Sequence, residues 1–352
     1  MRALVKTAPG KGHVDIVDMP LPTPARDELL IKVKYCGICG TDLHIHDDEF
    51  PNDPPVIMGH EFYGQVVGGG DWFIHDWTLG QPVVGELHTG SCLRCHLCLS
   101  GNVHICDQKE ALGSRHHGAF AEYLTLPARL VHAAAPGVAP EVAALSEPFA
   151  IAGHCLVERG KLPAARARGA RNVLITGAAT MGLMSTIWAA RLGYEQIIVA
   201  GTAIDEAVRF PLAPAMGATT VVNVERQGLR EVVLDLTGGR GADVWVECSG
   251  SQAAIRSGVE LVKKTGTVVL IGLVGPELAG VPWNQFLYRE LDLVGCFSSP
   301  WSAWQLALQA EPEEEGRLRR LATHILPLSQ WREGFELLRS GQAVKVLLDL
   351  EA

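Results

Sequence analysis

Val173-Leu174-Ile175-Thr176-Gly177-Ala178-Ala179-Thr180-Met181-Gly182, running on into Leu183-Met184-Ser185-Thr186-Ile187-Trp188-Ala189-Ala190, decides how this chain folds. The 18 residues from Val173 to Ala190 carry no charge, which is long enough for a membrane span. The two glycines and the hydroxyls of Thr176, Thr180, Ser185 and Thr186 argue instead for a strand, a turn and a buried helix. Gly177 permits the tight bend, and Gly182 lets helix and strand approach. The helix N-terminus then directs backbone N–H groups and the positive end of its dipole at an anion such as a pyrophosphate. Between the glycines lie Ala179 and Met181. Ala179 stands where the dinucleotide fingerprint has its middle glycine, so its methyl group faces the closest approach of the phosphates. The competing reading is a plain strand-to-helix turn without a ligand.

Downstream, the rhythm of apolar strand and helix repeats through Ile197-Ile198-Val199, Thr220-Val221-Val222, Asp243-Val244-Trp245-Val246 and Val268-Val269-Leu270-Ile271. Buried strands alternating with helices predict a parallel, doubly wound α/β sheet. Upstream the chain reads differently, as short β-like runs cut by Pro and Gly: Leu29-Leu30-Ile31-Lys32-Val33-Lys34, Gly64-Gln65-Val66-Val67 and Gln81-Pro82-Val83-Val84. A length of 352 residues suits two domains. The boundaries expected are 1–153 for the β-rich part, 154–296 for the parallel sheet, and 297–352 for a return to the first. The tail reads as a helix around Trp331–Leu338 and a strand around Lys345–Leu348, and Glu311-Pro312-Glu313-Glu314-Glu315 as a solvated loop.

Sites for NAD place Asp or Glu about 20 residues after the turn, to bind the ribose 2′-hydroxyl. Here the next strand ends in Val199-Ala200-Gly201-Thr202, and the first acids, Asp205 and Glu206, come later. Without a carboxylate a 2′-phosphate is not repelled. Gly201 leaves it room, Thr202 can donate, and Arg209 supplies charge. This reading leans to NADP. NAD is the alternative, with Asp205 swinging in and Arg209 a solvated helix residue.

Nine cysteines are present, four in the knot Cys92-x2-Cys95-x2-Cys98-x7-Cys106, the spacing of a closed structural zinc site. A second, mixed set is Cys39 with His60-Glu61: one thiolate, one imidazole and one carboxylate, as in catalytic zinc sites. Disulfides in the knot would need an oxidising compartment. The start Met1-Arg2-Ala3-Leu4-Val5-Lys6-Thr7 has no apolar h-region, so the expectation is a cytoplasmic protein with no membrane partner. Cys36, Cys155, Cys248 and Cys296 read as buried free thiols. A net charge of −9 with no basic tract argues against a nucleic-acid partner.

Taken in order, Gly37-Ile38-Cys39-Gly40-Thr41-Asp42-Leu43-His44, Gly59-His60-Glu61, the cysteine knot, Glu147-Pro148, the glycine turn and Gly341-Gln342-Ala343-Val344-Lys345-Val346 make the chain resemble a zinc-dependent medium-chain alcohol dehydrogenase. The similarity spans the whole length and is strongest to the polyol and L-threonine dehydrogenase branch. It implies a GroES-like β domain, made from the N-terminal part and the C-terminal tail, joined to a Rossmann domain. It also implies two zinc ions per chain and a homotetramer or homodimer. By this resemblance Cys39 and His60 are zinc ligands, Glu61 is the third, and Glu147 is the fourth or holds the metal-bound water. Asp42 orients the zinc-bound imidazole, Thr41 hands on the substrate proton, and His44 passes it to solvent. The activity implied is reversible oxidation of a secondary alcohol to its ketone, with hydride transfer to a nicotinamide. Sorbitol dehydrogenases grip their polyol with an Arg-Tyr pair after a Gly-x-Phe, but Gly295-Cys296-Phe297 is followed here by Ser298-Ser299-Pro300-Trp301. Phe50, Trp283, Phe297 and Trp301 are candidate walls of a more apolar pocket, or core aromatics.

Three alternatives stay open. One is an NADPH-dependent ketone reductase on the same fold. The second is a zinc-free quinone or enoyl reductase, which the set Cys39, His60, Glu61 and Glu147 opposes. The third is a non-enzymatic zinc-binding protein whose cofactor turn has decayed at Ala179.

Overall fold

In the computed structural model, which describes residues 1–71, 77–274 and 281–352, the uncharged run becomes a strand and a helix. Strand Asn172–Thr176 is buried at every residue, and helix Thr180–Arg191 follows it. Six strands pair in parallel in the order Thr220–Asn223, Gln196–Gly201, Asn172–Thr176, Ala242–Glu247, Val262–Leu270, Asp292–Gly295. In chain order this is 3-2-1-4-5-6, a doubly wound sheet whose switch point lies beside Asn172–Thr176. Burial on both faces explains why these strands read as unbroken apolar runs rather than alternating ones. Trp245 fills the centre of the unit, its indole N–H donating to Thr176 Oγ1 at 3.0 Å.

The chain divides into two compact units, Met1–Glu147 with Ser299–Arg339 and Lys345–Ala352, and Pro148–Ser298 with Ser340–Val344. The tail thus returns to the first unit but lends five residues, Ser340–Val344, to the second. In the first unit strand Glu28–Gly37 is the hub. It pairs antiparallel with Glu61–Gly69, with Tyr123–Pro127 and with the tail strand Lys345–Asp349. That last pairing carries Lys345 into the unit that holds Cys39 and His60. Strands Pro82–Gly85 and Val131–Ala133 extend one side, Ala322–Pro327 the other, and Arg2–Lys6 forms a second small sheet with Val14–Asp18 and Val56–Ile57.

One expectation is overturned. The acidic stretch at 311–315 is the start of a helix, Pro312–Leu321, with Glu311 as its N-cap and Glu314 folding back on the Glu311 backbone N–H at 2.8 Å. Pro at the first helical position and acids in the first turn are what a helix start favours. The composition that resembled a solvated loop was a capping signal. Among the described residues no helix is long and apolar enough to cross a membrane.

Gly182 packs so closely on the turn that a Cβ there would collide with the Gly177 carbonyl oxygen. Gly182→Ala should therefore cost about 1–3 kcal/mol of stability, the usual range for overpacking. Denaturant unfolding with wild-type energetics would show that helix and strand do not need this approach.

Candidate active site and metal centres

Helix Gly40–His46 begins at Cys39, where the Asp42 carboxylate accepts the Cys39 backbone N–H at 2.8 Å. Its other oxygen accepts the Gly59 N–H at 3.3 Å. Asp42 is fully buried and ties together the two segments that carry Cys39 and His60. Gly59 itself has φ +84°, a conformation open to glycine, and turns the chain so that His60 and Glu61 follow into the buried strand. Ligand atoms of Cys39, His60 and Glu61 lie within 4.8 Å of one another. Glu61 rests directly against Gly37, where any Cβ would meet its carboxylate.

The charge at this cluster is one-sided. Burial alone would lower the His60 imidazolium, yet its hydrogen bond to Cys39 and the charges of Cys39, Asp42 and Glu147 push it up to about 10. Burial above all, with Glu61 nearby, pushes Glu147 up to about 7. Glu147 Oε1 is buried without a hydrogen-bond partner among the described residues. Two carboxylates and an imidazole out of water beside a half-buried thiol, with one oxygen left over, form a donor set that fits a divalent cation.

Lys345 was absent from the sequence-derived set of site residues. Its ammonium is 2% exposed and donates to both Glu61 oxygens, at 2.8 and 2.7 Å, and to the Ile38 carbonyl at 3.0 Å. Burial opposes its charge, but Glu61 and Cys39 hold its pKa above the usual value. The sequence signal was a lysine inside the apolar run Val344-Lys345-Val346-Leu347-Leu348, which calls for a buried acid elsewhere.

Thr41 Oγ1 sits 3.7 Å from Cys39 Sγ, while His44 is exposed and its Nδ1 is 2.9 Å from Glu49 Oε2. Of the candidate pocket aromatics, Trp301 stacks on His132 at 3.9 Å and Trp283 tilts against Phe286 at 5.6 Å.

The knot has a different character. Cys92 Sγ lies 3.7 Å from Cys106 Sγ and 4.0 Å from Cys98 Sγ, and Cys95 Sγ lies 3.9 Å from Cys106 Sγ. A zinc tetrahedron with arms of about 2.3 Å has edges of about 3.8 Å. A disulfide would need about 2.05 Å. Backbone N–H groups of Arg94 and Cys95 lower Cys92 to about 6, readying it as a thiolate.

In the second unit, Gly177 (φ +95°), Ala178 and Ala179 line a cavity of about 500 Å3 together with Gly201, Thr202, Asp205 and Arg209. Met181 and Gly182 belong to the first helical turn behind it. Here the structure changes the reading of the second strand's end. Thr202 and Asp205 form a capping box that folds the acid back, its Oδ2 accepting the Thr202 N–H at 3.0 Å, against Gly201. Arg209 is not a solvated cation. It is buried, donating to Asp205 Oδ1 at 2.9 Å and to the Ala343 carbonyl at 3.2 Å.

Comparison with known proteins agrees with this chemistry. The model of the alcohol dehydrogenase GroES-like domain matches residues 25–136, and that of the zinc-binding dehydrogenases matches 180–311. The chain is 32% identical to sorbitol dehydrogenase of Halalkalibacterium halodurans, over 99% of each chain. It belongs to the zinc-dependent medium-chain alcohol dehydrogenases. L-threonine 3-dehydrogenase of Shewanella halifaxensis is 31% identical over 99% of each chain. The structure of a zinc-binding dehydrogenase from Sinorhizobium meliloti 1021, bound to NADP, matches at 29% identity with a TM-score of 0.86, covering 99% of this chain and 98% of that one. This dehydrogenase is thus an alcohol oxidoreductase that works with zinc and a nicotinamide cofactor, its GroES-like and Rossmann parts as expected.

Lys345→Met leaves the dehydrogenase with a buried, uncompensated Glu61, a change expected to cost about 3–5 kcal/mol. Urea unfolding measures it, and a cost as small as that of an exposed pair, below about 1 kcal/mol, would contradict the burial argument.

Proposed function

We propose that the enzyme interconverts a secondary alcohol and its ketone at a zinc ion held by Cys39, His60 and a carboxylate. The substrate class is a polyol, diol, amino alcohol or sugar-derived alcohol, in keeping with the sorbitol and L-threonine named for its relatives. The observation that carries the proposal is the cluster of half-buried Cys39 with buried His60 and Glu61, and the buried Glu147 Oε1 that has no hydrogen-bond partner among the described residues. When bound, zinc lowers the pKa of the substrate hydroxyl, and the nicotinamide takes the hydride. The protein's own groups do the rest. Glu61, clamped by Lys345, is the fixed carboxylate of the set, and Glu147 supplies the oxygen free to take the remaining position. Asp42 holds the Cys39 and His60 segments in register. Thr41 Oγ1 accepts the substrate proton, and the exposed His44 delivers it to solvent. The knot of Cys92, Cys95, Cys98 and Cys106 holds a second, structural zinc.

For the cofactor, the proposal is NAD. Asp205 supports it, because the capping box brings a carboxylate to the strand end that the sequence left without an acid. Arg209, tied to Asp205 and Ala343, has little charge to offer a 2′-phosphate. NADP is the second reading, favoured by the NADP in the Sinorhizobium structure.

Metal analysis should find two zinc ions per chain in the wild type. Cys39→Ser should keep only the knot's ion and lose turnover, whereas Cys98→Ser should lose thermal stability first. A fully active Cys39→Ser enzyme would remove the assignment.

Fluorescence titration should show NADH binding more tightly than NADPH, and Asp205→Ser should improve NADPH binding by about tenfold, the worth of one removed like charge. Unchanged NADPH affinity would mean that Asp205 does not read the ribose.

A further inference from the structure

The parallel sheet has two ends, and the cofactor turn uses only the C-terminal one. At the other end, a cavity of about 590 Å3 is lined by Arg240, Lys263, Lys264, Gln285, Tyr288 and Arg289. Arg240 precedes strand Ala242–Glu247, and Lys263 and Lys264 lie at the beginning of Val262–Leu270. Arg289 ends helix Trp283–Arg289, just ahead of Asp292–Gly295. These three strands are neighbours in the sheet, so three separate segments deliver four cations to one mouth.

Among the described residues no carboxylate lines the cavity, although acids outnumber bases 39 to 30 in the chain. Of the four cations only Lys263 pairs with an acid among the described residues, with Asp243, which is not a lining residue and also accepts the Arg171 and Asn172 backbone N–H groups. Among the described residues Arg240, Lys264 and Arg289 form no ion pair. The two guanidinium groups are nevertheless held in place. Arg289 donates to the Val262 carbonyl at 2.8 Å and to Gln285 Oε1 at 3.2 Å, and Arg240 to the Thr237 carbonyl at 3.4 Å. Cations fixed close together without counter-charge repel one another, and an anion placed among them relieves that repulsion. Pre-oriented guanidinium forks match phosphate oxygens and lose little freedom on binding.

We propose that this cavity is a second anion site, separate from the cofactor, that binds the polyphosphate chain of a small molecule. A single phosphate would engage one fork and leave the remaining cations uncompensated, so a chain of phosphates suits the spread of charges better. The exposed ring of Tyr288 at the rim offers a flat face to a base, if the chain carries one. The length of strand Ala242–Glu247 separates this mouth from the cofactor turn by roughly 20 Å, at about 3.3 Å per residue.

The test uses full-length, zinc-replete enzyme saturated with NADH, so that the cofactor cavity is filled. Calorimetric titration with inorganic tripolyphosphate should show one site per chain that weakens as salt is raised. The double variant Arg240→Glu with Lys264→Glu should weaken it roughly 100-fold, about tenfold for each reversed charge, with NADH affinity unchanged. ATP titrated in the same way should bind tighter than tripolyphosphate if Tyr288 reads a base, and equally if the phosphates alone are recognised. Absence of tripolyphosphate binding to the NADH-saturated enzyme, or binding that the double variant leaves intact, would overturn the proposal.

Discussion

The ion pair between Lys345 and Glu61 is the constraint on which the catalytic part of this molecule depends. Both groups are out of water, and neither could stay charged there alone. One lies on strand Lys345–Asp349 and the other immediately after His60, so the pair joins that strand to the segment that presents two of the three clustered donors. It fixes the Glu61 carboxylate against Gly37, where no side chain could be placed. Lys345 also donates to the carbonyl of Ile38, the residue before Cys39. A single ammonium thus braces the segments of two of the three clustered donors. A lysine buried in an apolar strand makes sense only through the acid it faces.

The two clusters proposed to hold metal illustrate different solutions to the same electrostatic problem. The knot gathers four thiols at tetrahedral spacing, and backbone N–H groups favour the thiolate of Cys92 while burial pushes the Cys98 thiol up. Every position is taken by sulfur, which suits a clip. The Cys39 cluster gathers unlike donors, leaves Glu147 Oε1 without a hydrogen-bond partner among the described residues, and, against the effect of burial, holds the His60 imidazolium well above its ordinary range through Cys39 and the surrounding acids. That combination of buried, mutually repelling acids and an open coordinating position is what a reactive site requires and a structural site avoids. Asp42, accepting the Cys39 and Gly59 backbone N–H groups beside the donors, connects this local chemistry to the strand and helix around it.

Much of this was legible in the sequence, because short motifs with fixed spacing encode local geometry. The glycine turn, the buried parallel strands, the knot and the Cys39, His60, Glu61 set all rest on residues close together in the chain or on strong periodicity. What escaped depended on tertiary placement or on capping. Lys345 lies 284 residues from Glu61, and no local pattern reveals the pairing. Asp205 looked too late in the chain to reach the strand end, since a count of residues does not show that a Thr202 capping box folds the carboxylate back. Arg209 looked like a free helix cation; Asp205 pairs with its charge, and the hydrogen bond to the Ala343 carbonyl needs the three-dimensional path of the tail. The acidic run at 311–315 was read by composition when its order, Glu-Pro-Glu-Glu-Glu, spelled a helix start.

Anomalous diffraction at the zinc edge from crystals of the protein as purified tests the central claim most directly. Two peaks per chain are expected: one enclosed by Cys92, Cys95, Cys98 and Cys106, the other bonded to Cys39, His60 and a carboxylate of Glu61 or Glu147. A peak in the knot alone, with the Cys39 cluster closed on itself in zinc-replete protein, would contradict the account.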